Sequence, residues 1–137
     1  MPNTAELMAQ KACEVMQYAY APYSKYRVGA CVQAEDGTMF VGCNVENISY
    51  GLTICAERSA ITSLISAGKK KIKAIAIVGS GSELCTPCGA CRQIIREFAA
   101  QDAPIYLCDP LTKKVVETTN IKNLLPLSFG PEHLENK

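Results

Sequence analysis

Cys88-Gly89-Ala90-Cys91 directly follows Pro87. A proline there marks the start of a helix, so the two thiols fall three residues apart in its first turn, on one face and within reach of a single tetrahedral ion. Helix N-terminal amides favour thiolate over thiol, and thiolate is the form that binds metal. Cys55, earlier in the chain, offers a third sulfur. Three protein ligands with one open position is the arrangement of catalytic zinc. On spacing alone, a redox pair or two buried cysteines remain alternatives for C-x-x-C.

Glu57, two positions after Cys55, separates these readings. Three thiolates already exceed the two positive charges of zinc, so a further carboxylate beside a structural site works against it. The same carboxylate has a use if it moves protons. Residues i and i+2 do not share a face inside a regular helix, so Cys55 and Glu57 can serve one site only if Cys55 stands where the helix begins. Arg58 reads equally as a cation that offsets the thiolate charge or as a solvated helix charge.

These residues need elements to hold them. Thr4 to Tyr20 repeats apolar residues at helical spacing, with Thr4 as N-cap and Glu6 in the first turn, and Ala21-Pro22 stops it. Val28 to Glu35 and Thr38 to Glu46 read as a hairpin around Asp36-Gly37. Cys55 to Ala67 reads as a helix so apolar that burial on every side is expected. Ile72 to Val78 is a strand covered on both faces, and Cys88 to Ala100 a helix with Ile94, Ile95, Phe98 and Ala99 inward. Ile105 to Cys108 and Val115 to Thr118 add strands, and Ile121 to Leu125 a short helix. The order predicts an α/β fold, a three-layer α/β/α sandwich around a mixed five-stranded sheet.

The chain has 137 residues, 14 Lys+Arg against 13 Asp+Glu, and 48% hydrophobic residues. That length supports one core, so residues 1–137 are expected to form one domain. A net charge of +1 offers no stripe for nucleic acid and no pull toward a membrane surface. Neither a leader peptide nor a membrane span is expected, and the cytoplasm is the expected compartment. There Cys13, Cys31, Cys43 and Cys108, each among apolar neighbours, read as small buried hydrophobes.

Cys55-Ala56-Glu57 with Pro87-Cys88-Gly89-Ala90-Cys91 is the C-x-E and P-C-x-x-C pattern of the zinc-dependent nucleoside deaminases. Further motifs, Ala21-Pro22-Tyr23-Ser24-Lys25-Tyr26, Val28-Gly29-Ala30, Gly42-Cys43-Asn44-Val45-Glu46-Asn47 and Leu124-Leu125-Pro126, extend the likeness over essentially the whole chain. It resembles the cytidine/deoxycytidylate deaminase superfamily, and within it the short, homotetrameric cytidine deaminases. The resemblance implies one zinc (Zn2+) per subunit on Cys55, Cys88 and Cys91, and Glu57 as the catalytic acid and base. The reaction implied is hydrolysis at a cyclic amidine: cytidine and deoxycytidine become uridine and deoxyuridine, with release of ammonia, in pyrimidine salvage. Asn44 and Glu46 match the pair that holds a ribose hydroxyl. Tyr26 stands where the family usually has a phenylalanine that packs on the pyrimidine. The main chain around Cys55 and Ala56 contacts the base, Arg58 compensates thiolate charge, and Phe129 matches an aromatic given to a neighbouring subunit's pocket.

Cys85 is a second departure from the family pattern, and it opens a rival reading. With Cys55, Cys88 and Cys91 it would make a closed, purely structural zinc site. Against this, Pro87 lies between Cys85 and the helical turn that carries Cys88 and Cys91, so Cys85 is expected to be a buried small residue. An iron-sulfur run would need a cysteine where Ile95 stands. Within enzymes, a deaminase for another aminopyrimidine is the near alternative. A homotetramer with the Cys55 to Ala67 helix near its centre and shared active sites is the expected assembly.

Overall fold

Asn3, rather than Thr4, caps the first helix: the Glu6 N–H donates to Asn3 Oδ1 at 2.8 Å, and α1 runs Thr4–Met16. The computed structural model describes residues 3–135. The expected continuation to Tyr20 is replaced by a tightened end, with Tyr18 and Ala19 N–H donating three residues back to Val15 and Met16. Tyr20 instead pairs with a distant segment. Its N–H donates to Asn44 O at 3.0 Å and its carbonyl accepts from Glu46 N–H at 2.8 Å. A long-range pairing thus ends the helix before the proline does, and it carries the 20–28 segment toward the 44–46 segment.

Five strands follow the expected order: β1 Val28–Ala34, β2 Met39–Cys43, β3 Ile72–Gly79, β4 Ile105–Cys108 and β5 Val115–Thr119. They form one sheet in the order β2-β1-β3-β4-β5, antiparallel except for the parallel β3/β4 pair. β2 is shorter than its pattern predicts because Asn44 leaves the ladder and turns its amide onto the main chain of 26–28. The helices are α2 Ala56–Ser66, α3 Gly89–Phe98 and the short α4 Ile121–Leu124 and α5 Glu132–Glu135; the residues of α5 had no helical expectation.

The central strands are buried on both faces, as a covered sheet requires. On one side Met8, Ala9, Ala12 and Cys13 of α1 pack on Cys31, Ala74, Ala76, Val78 and Cys108. On the other, Ala60, Ile61 and Leu64 of α2, Ile95 of α3 and Ile121 of α4 pack on Val32, Ile75, Ile77, Ile105 and Leu107. That makes three layers. Each such aliphatic side chain contributes about 1.5–3 kcal/mol on burial, enough together to pin the starts of α2 and α3 to one rigid surface. Close approach sets their depth: a Cβ on Gly42 would lie 2.4 Å from Ala60 N, so β2 accepts α2 only with glycine there. Cys13, Cys31 and Cys108 are buried as expected, and Cys43 half-buried. Burial pushes the Cys31 and Cys108 thiols up to about 12, leaving them neutral core groups.

This chain alone buries one side of α2. Within one chain its outer side, Thr62, Ser63 and Ser66 with Ile65 at 36% exposure, faces away from the sheet. An apolar helix laid on one sheet edge has only one side to bury.

Candidate active site

Two helices begin at cysteines. Cys55 is the N-cap of α2 and Cys88 the N-cap of α3, both with extended backbone (φ −74°, ψ 154° and φ −66°, ψ 167°). This meets the condition for Cys55 and Glu57 to share one site. Cys91 follows in the first turn of α3. The three sulfurs lie within 4.8 Å of one another, with Cys55 Sγ and Cys88 Sγ 3.8 Å apart. A tetrahedral zinc with Zn–S bonds of about 2.3 Å sets its sulfurs roughly 3.8 Å apart, so this donor set fits the ion. Cys88 is exposed, Cys55 half-buried and Cys91 buried, which leaves the group open on one side.

Electrostatics favour charge on one of these sulfurs. The Cys55 thiol is held down to about 6 by hydrogen bonds from Cys91 and Cys88, and by the Arg58 cation, against the effect of burial. Cys91, on the giving side of that pair, is pushed up. Arg58 Nε is buried without a hydrogen-bond partner among the described residues, so its charge acts on the site through space.

Glu57 is 4% exposed. Burial pushes its carboxyl up from 4.5 to about 7, and the negative charge of Cys55 adds to this. Cys85 is half-buried outside the three-sulfur group; its sulfur donates to Thr86 O at 3.9 Å, and it lies beside the Tyr26 hydroxyl over Gly79. The half-buried Tyr26 hydroxyl is raised well above its ordinary value by burial and by Cys85. Ala56 is fully buried behind the cap.

Asn44 and Glu46 lie beyond β2 and are held by their own chain. The Asn44 amide accepts from Val28 N–H and donates to Tyr26 O, both at 2.9 Å. Glu46 Oε1 accepts from Tyr23 N–H at 3.0 Å and Ser24 N–H at 3.2 Å, and the Ser24 hydroxyl donates to Oε2. Those bonds, the Ser24 hydroxyl first, hold the Glu46 carboxyl below its usual range. Glu46 borders a cleft of about 380 Å³ with Tyr23, Ser24, Asn47, Tyr50 and Thr53. Phe129 is not brought to the three sulfurs within this chain; it stands 58% exposed on the C-terminal tail.

Two supporting residues carried no role in the sequence reading. Ser24 orients Glu46, and its place in the Pro22-Tyr23-Ser24 motif was the available signal. Arg92 donates from Nε to Pro87 O at 2.7 Å and from Nη1 to Leu124 O at 2.8 Å, tying the turn before Cys88 to the end of α4. Its signal was only its position after Cys91.

A carboxylic acid buried beside three cysteine sulfurs at paired helix N-termini, on a mixed sheet, defines a zinc-dependent hydrolytic centre. The family model of the cytidine and deoxycytidylate deaminase zinc-binding region matches residues 2–107. A cytidine deaminase of Sporosarcina psychrophila is 43% identical over 129 residues, 94% of this chain and 93% of that protein. The crystal structure of cytidine deaminase from Burkholderia pseudomallei superposes with TM-score 0.85 at 40% identity, covering 94% of this chain and 100% of that one. That of Mycobacterium tuberculosis gives 0.78 at 36%, covering 90% and 95%. This chain belongs to the cytidine and deoxycytidylate deaminase family, and zinc is its cofactor.

Proposed function

We propose that this chain, as one deaminase domain, hydrolyses cytidine and deoxycytidine to uridine and deoxyuridine with release of ammonia. The observation that carries this reading is the buried Glu57 two residues past a sulfur of the metal-binding group. Three sulfurs alone serve a structural site equally well. A buried acid next to them has a use when protons move.

Held by Cys55, Cys88 and Cys91, zinc supplies Lewis-acid activation of a water nucleophile near neutral pH. Glu57 accepts the proton this water gives up as its oxygen bonds to C4 of the pyrimidine, and passes it to N3. It then takes the proton of the new C4 hydroxyl and delivers it to the amine. The C4–N bond breaks, ammonia leaves, and C4 keeps a carbonyl oxygen. A carboxyl poised near 7 gives and takes protons readily at neutral pH. Arg58 offsets thiolate charge, Tyr26 packs on the pyrimidine, and the main chain at Cys55 and Ala56 faces the base. Asn44 and Glu46 hold the ribose. Glu46 is preset for this by Ser24, and the Asn44 amide retains one N–H beyond the bond to Tyr26.

The chain acts as a homotetramer in which Phe129 enters a neighbouring pocket. Ile48, Tyr50 and Leu52, 79%, 76% and 66% exposed, give the 48–52 segment an apolar surface that favours assembly. Sedimentation is expected to give four chains per particle; a fully active monomer would contradict it. The described cysteines are all unpaired, which fits a reducing cytoplasm, the compartment of nucleoside salvage. No helix among the described residues is long and apolar enough to cross a membrane.

The substrate reading has a matched test. Cytosine carries the same reactive C4 without the sugar, so it should be a very poor substrate, because remote binding energy positions the ring. Glu46→Ala removes a hydrogen bond to a charged group, a loss of about 1.5–3 kcal/mol, or roughly one to two powers of ten in kcat/KM for cytidine. Cytosine should barely respond. Equal losses on both compounds would assign Glu46 to the fold instead of the sugar.

A further inference from the structure

Arg96, in the last turn of α3, is 6% exposed, an unusual depth for a charge on an outer helix. Its partners all belong to the C-terminal tail. Nε donates to Ser128 Oγ at 2.8 Å, and Nη2 pairs with the carboxylate of Glu132. Gly130 lies flat on the guanidinium: a Cβ there would sit 2.3 Å from Arg96 Cζ. One turn earlier on the same helix, Gln93 Nε2 donates to Phe129 O at 2.9 Å. The tail closes on itself, with Gly130 N–H donating to His133 Nδ1 at 3.0 Å and the Phe129 ring stacked on the His133 imidazole at 5.0 Å and 18°.

Residues 128–133 are therefore folded around one buried guanidinium, and the product of that folding is a fixed direction for Phe129. The ring is 58% exposed, so the bonds made by Arg96 and Gln93 secure no core position for it. Burying a guanidinium is costly unless it is paired and hydrogen-bonded, and here Nε and Nη2 are bonded to the residues just before and just after the Phe129-Gly130-Pro131 turn. The device aims an aromatic outward. It starts from α3, which Cys88 caps and whose first turn carries Cys91, so the tail is referenced to the same rigid helix as the metal group.

We propose that Arg96 is a positioning residue for substrate binding, acting through Gly130 and Phe129 on the pocket of an adjacent copy of this chain. The inference rests on the reading that Phe129 enters that pocket. Arg96 touches no substrate itself; with Glu132 and Gln93 it holds the ring ready, so that little ordering is left for the moment of binding.

A double-mutant cycle on the zinc-loaded assembly tests it, with Arg96→Met, Phe129→Ala and the pair, reading KM and kcat for cytidine. Each single variant is expected to raise KM about tenfold, the scale of a lost aromatic contact, with kcat within about twofold. The double variant should be no worse than Phe129→Ala, because Arg96 acts only through that ring. Arg96→Lys, which keeps the charge toward Glu132 but not the fork, should recover part of the loss. If Arg96→Met does not fold, Glu132→Ala, at a half-exposed position, runs the same cycle. An unchanged KM in Phe129→Ala overturns the underlying reading and this inference with it. A raised KM in Phe129→Ala alone, or losses that multiply in the double variant, overturns the role of Arg96 and leaves that of Phe129 standing.

Discussion

Glu57→Gln is expected to keep zinc bound at one ion per chain while cytidine turnover falls by roughly 10²- to 10⁴-fold, about 3–5 kcal/mol in barrier. Glutamine matches the volume of glutamate, and Glu57 stands outside the three-sulfur group, so neither packing nor ligation should change. What is lost is the oxygen that accepts and returns protons. The buried carboxyl also leaves a mark on stability. Its pKa is raised from 4.5 to about 7 in the folded chain, so the fold favours the protonated form. Wild-type metal-free protein should then lose stability relative to Glu57→Gln as pH rises from about 4.5 through about 7, and the difference should level off above that. Near-normal turnover, or zinc lost along with activity, would take Glu57 out of the proton-transfer role.

Cys88→Ala is expected to lose both bound zinc and activity, by at least the same 10²- to 10⁴-fold, whereas Cys85→Ala should keep both. The geometry argues the contrast. Cys88 caps α3 with its sulfur 3.8 Å from that of Cys55, and removal leaves two sulfurs, one short of a catalytic zinc site. The Cys85 sulfur donates to Thr86 O and stands outside the group. A closed four-cysteine site would have no open position for water, so zinc released as readily from Cys85→Ala as from Cys88→Ala would favour the structural-module reading. Metal content and turnover of the two purified variants decide between them.

The metal group was legible because its determinants are local. Proline before cysteine, a three-residue spacing and an apolar helical run after each are written within a few positions of Cys88 and Cys55. The hairpin at Asp36-Gly37 is local in the same way: Gly37 takes φ 93° and Asp36 Oδ1 accepts from Thr38 N–H at 3.0 Å. What could not be read depends on distant partners. α1 ends at Met16 because Tyr20 pairs with Asn44 and Glu46, and β2 ends at Cys43 because the Asn44 amide binds the main chain of 26–28. Arg96 drew no reading from the sequence, since a basic residue in the last turn of a helix is an ordinary feature. Its burial is made by Ser128, Gly130 and Glu132, residues that periodicity on α3 does not touch. The apolar character of α2 was legible, but which of its faces this chain covers was not, since the number of faces a helix buries depends on its neighbours.

Hydrolytic deamination of a nucleoside at a zinc site is tested by incubating the zinc-loaded chain with cytidine and following uridine and ammonia together. One ammonia is expected for each uridine, with loss of both when a chelator strips the metal and recovery of both on adding zinc. Zinc bound at one ion per chain with no uridine formed from cytidine would contradict it.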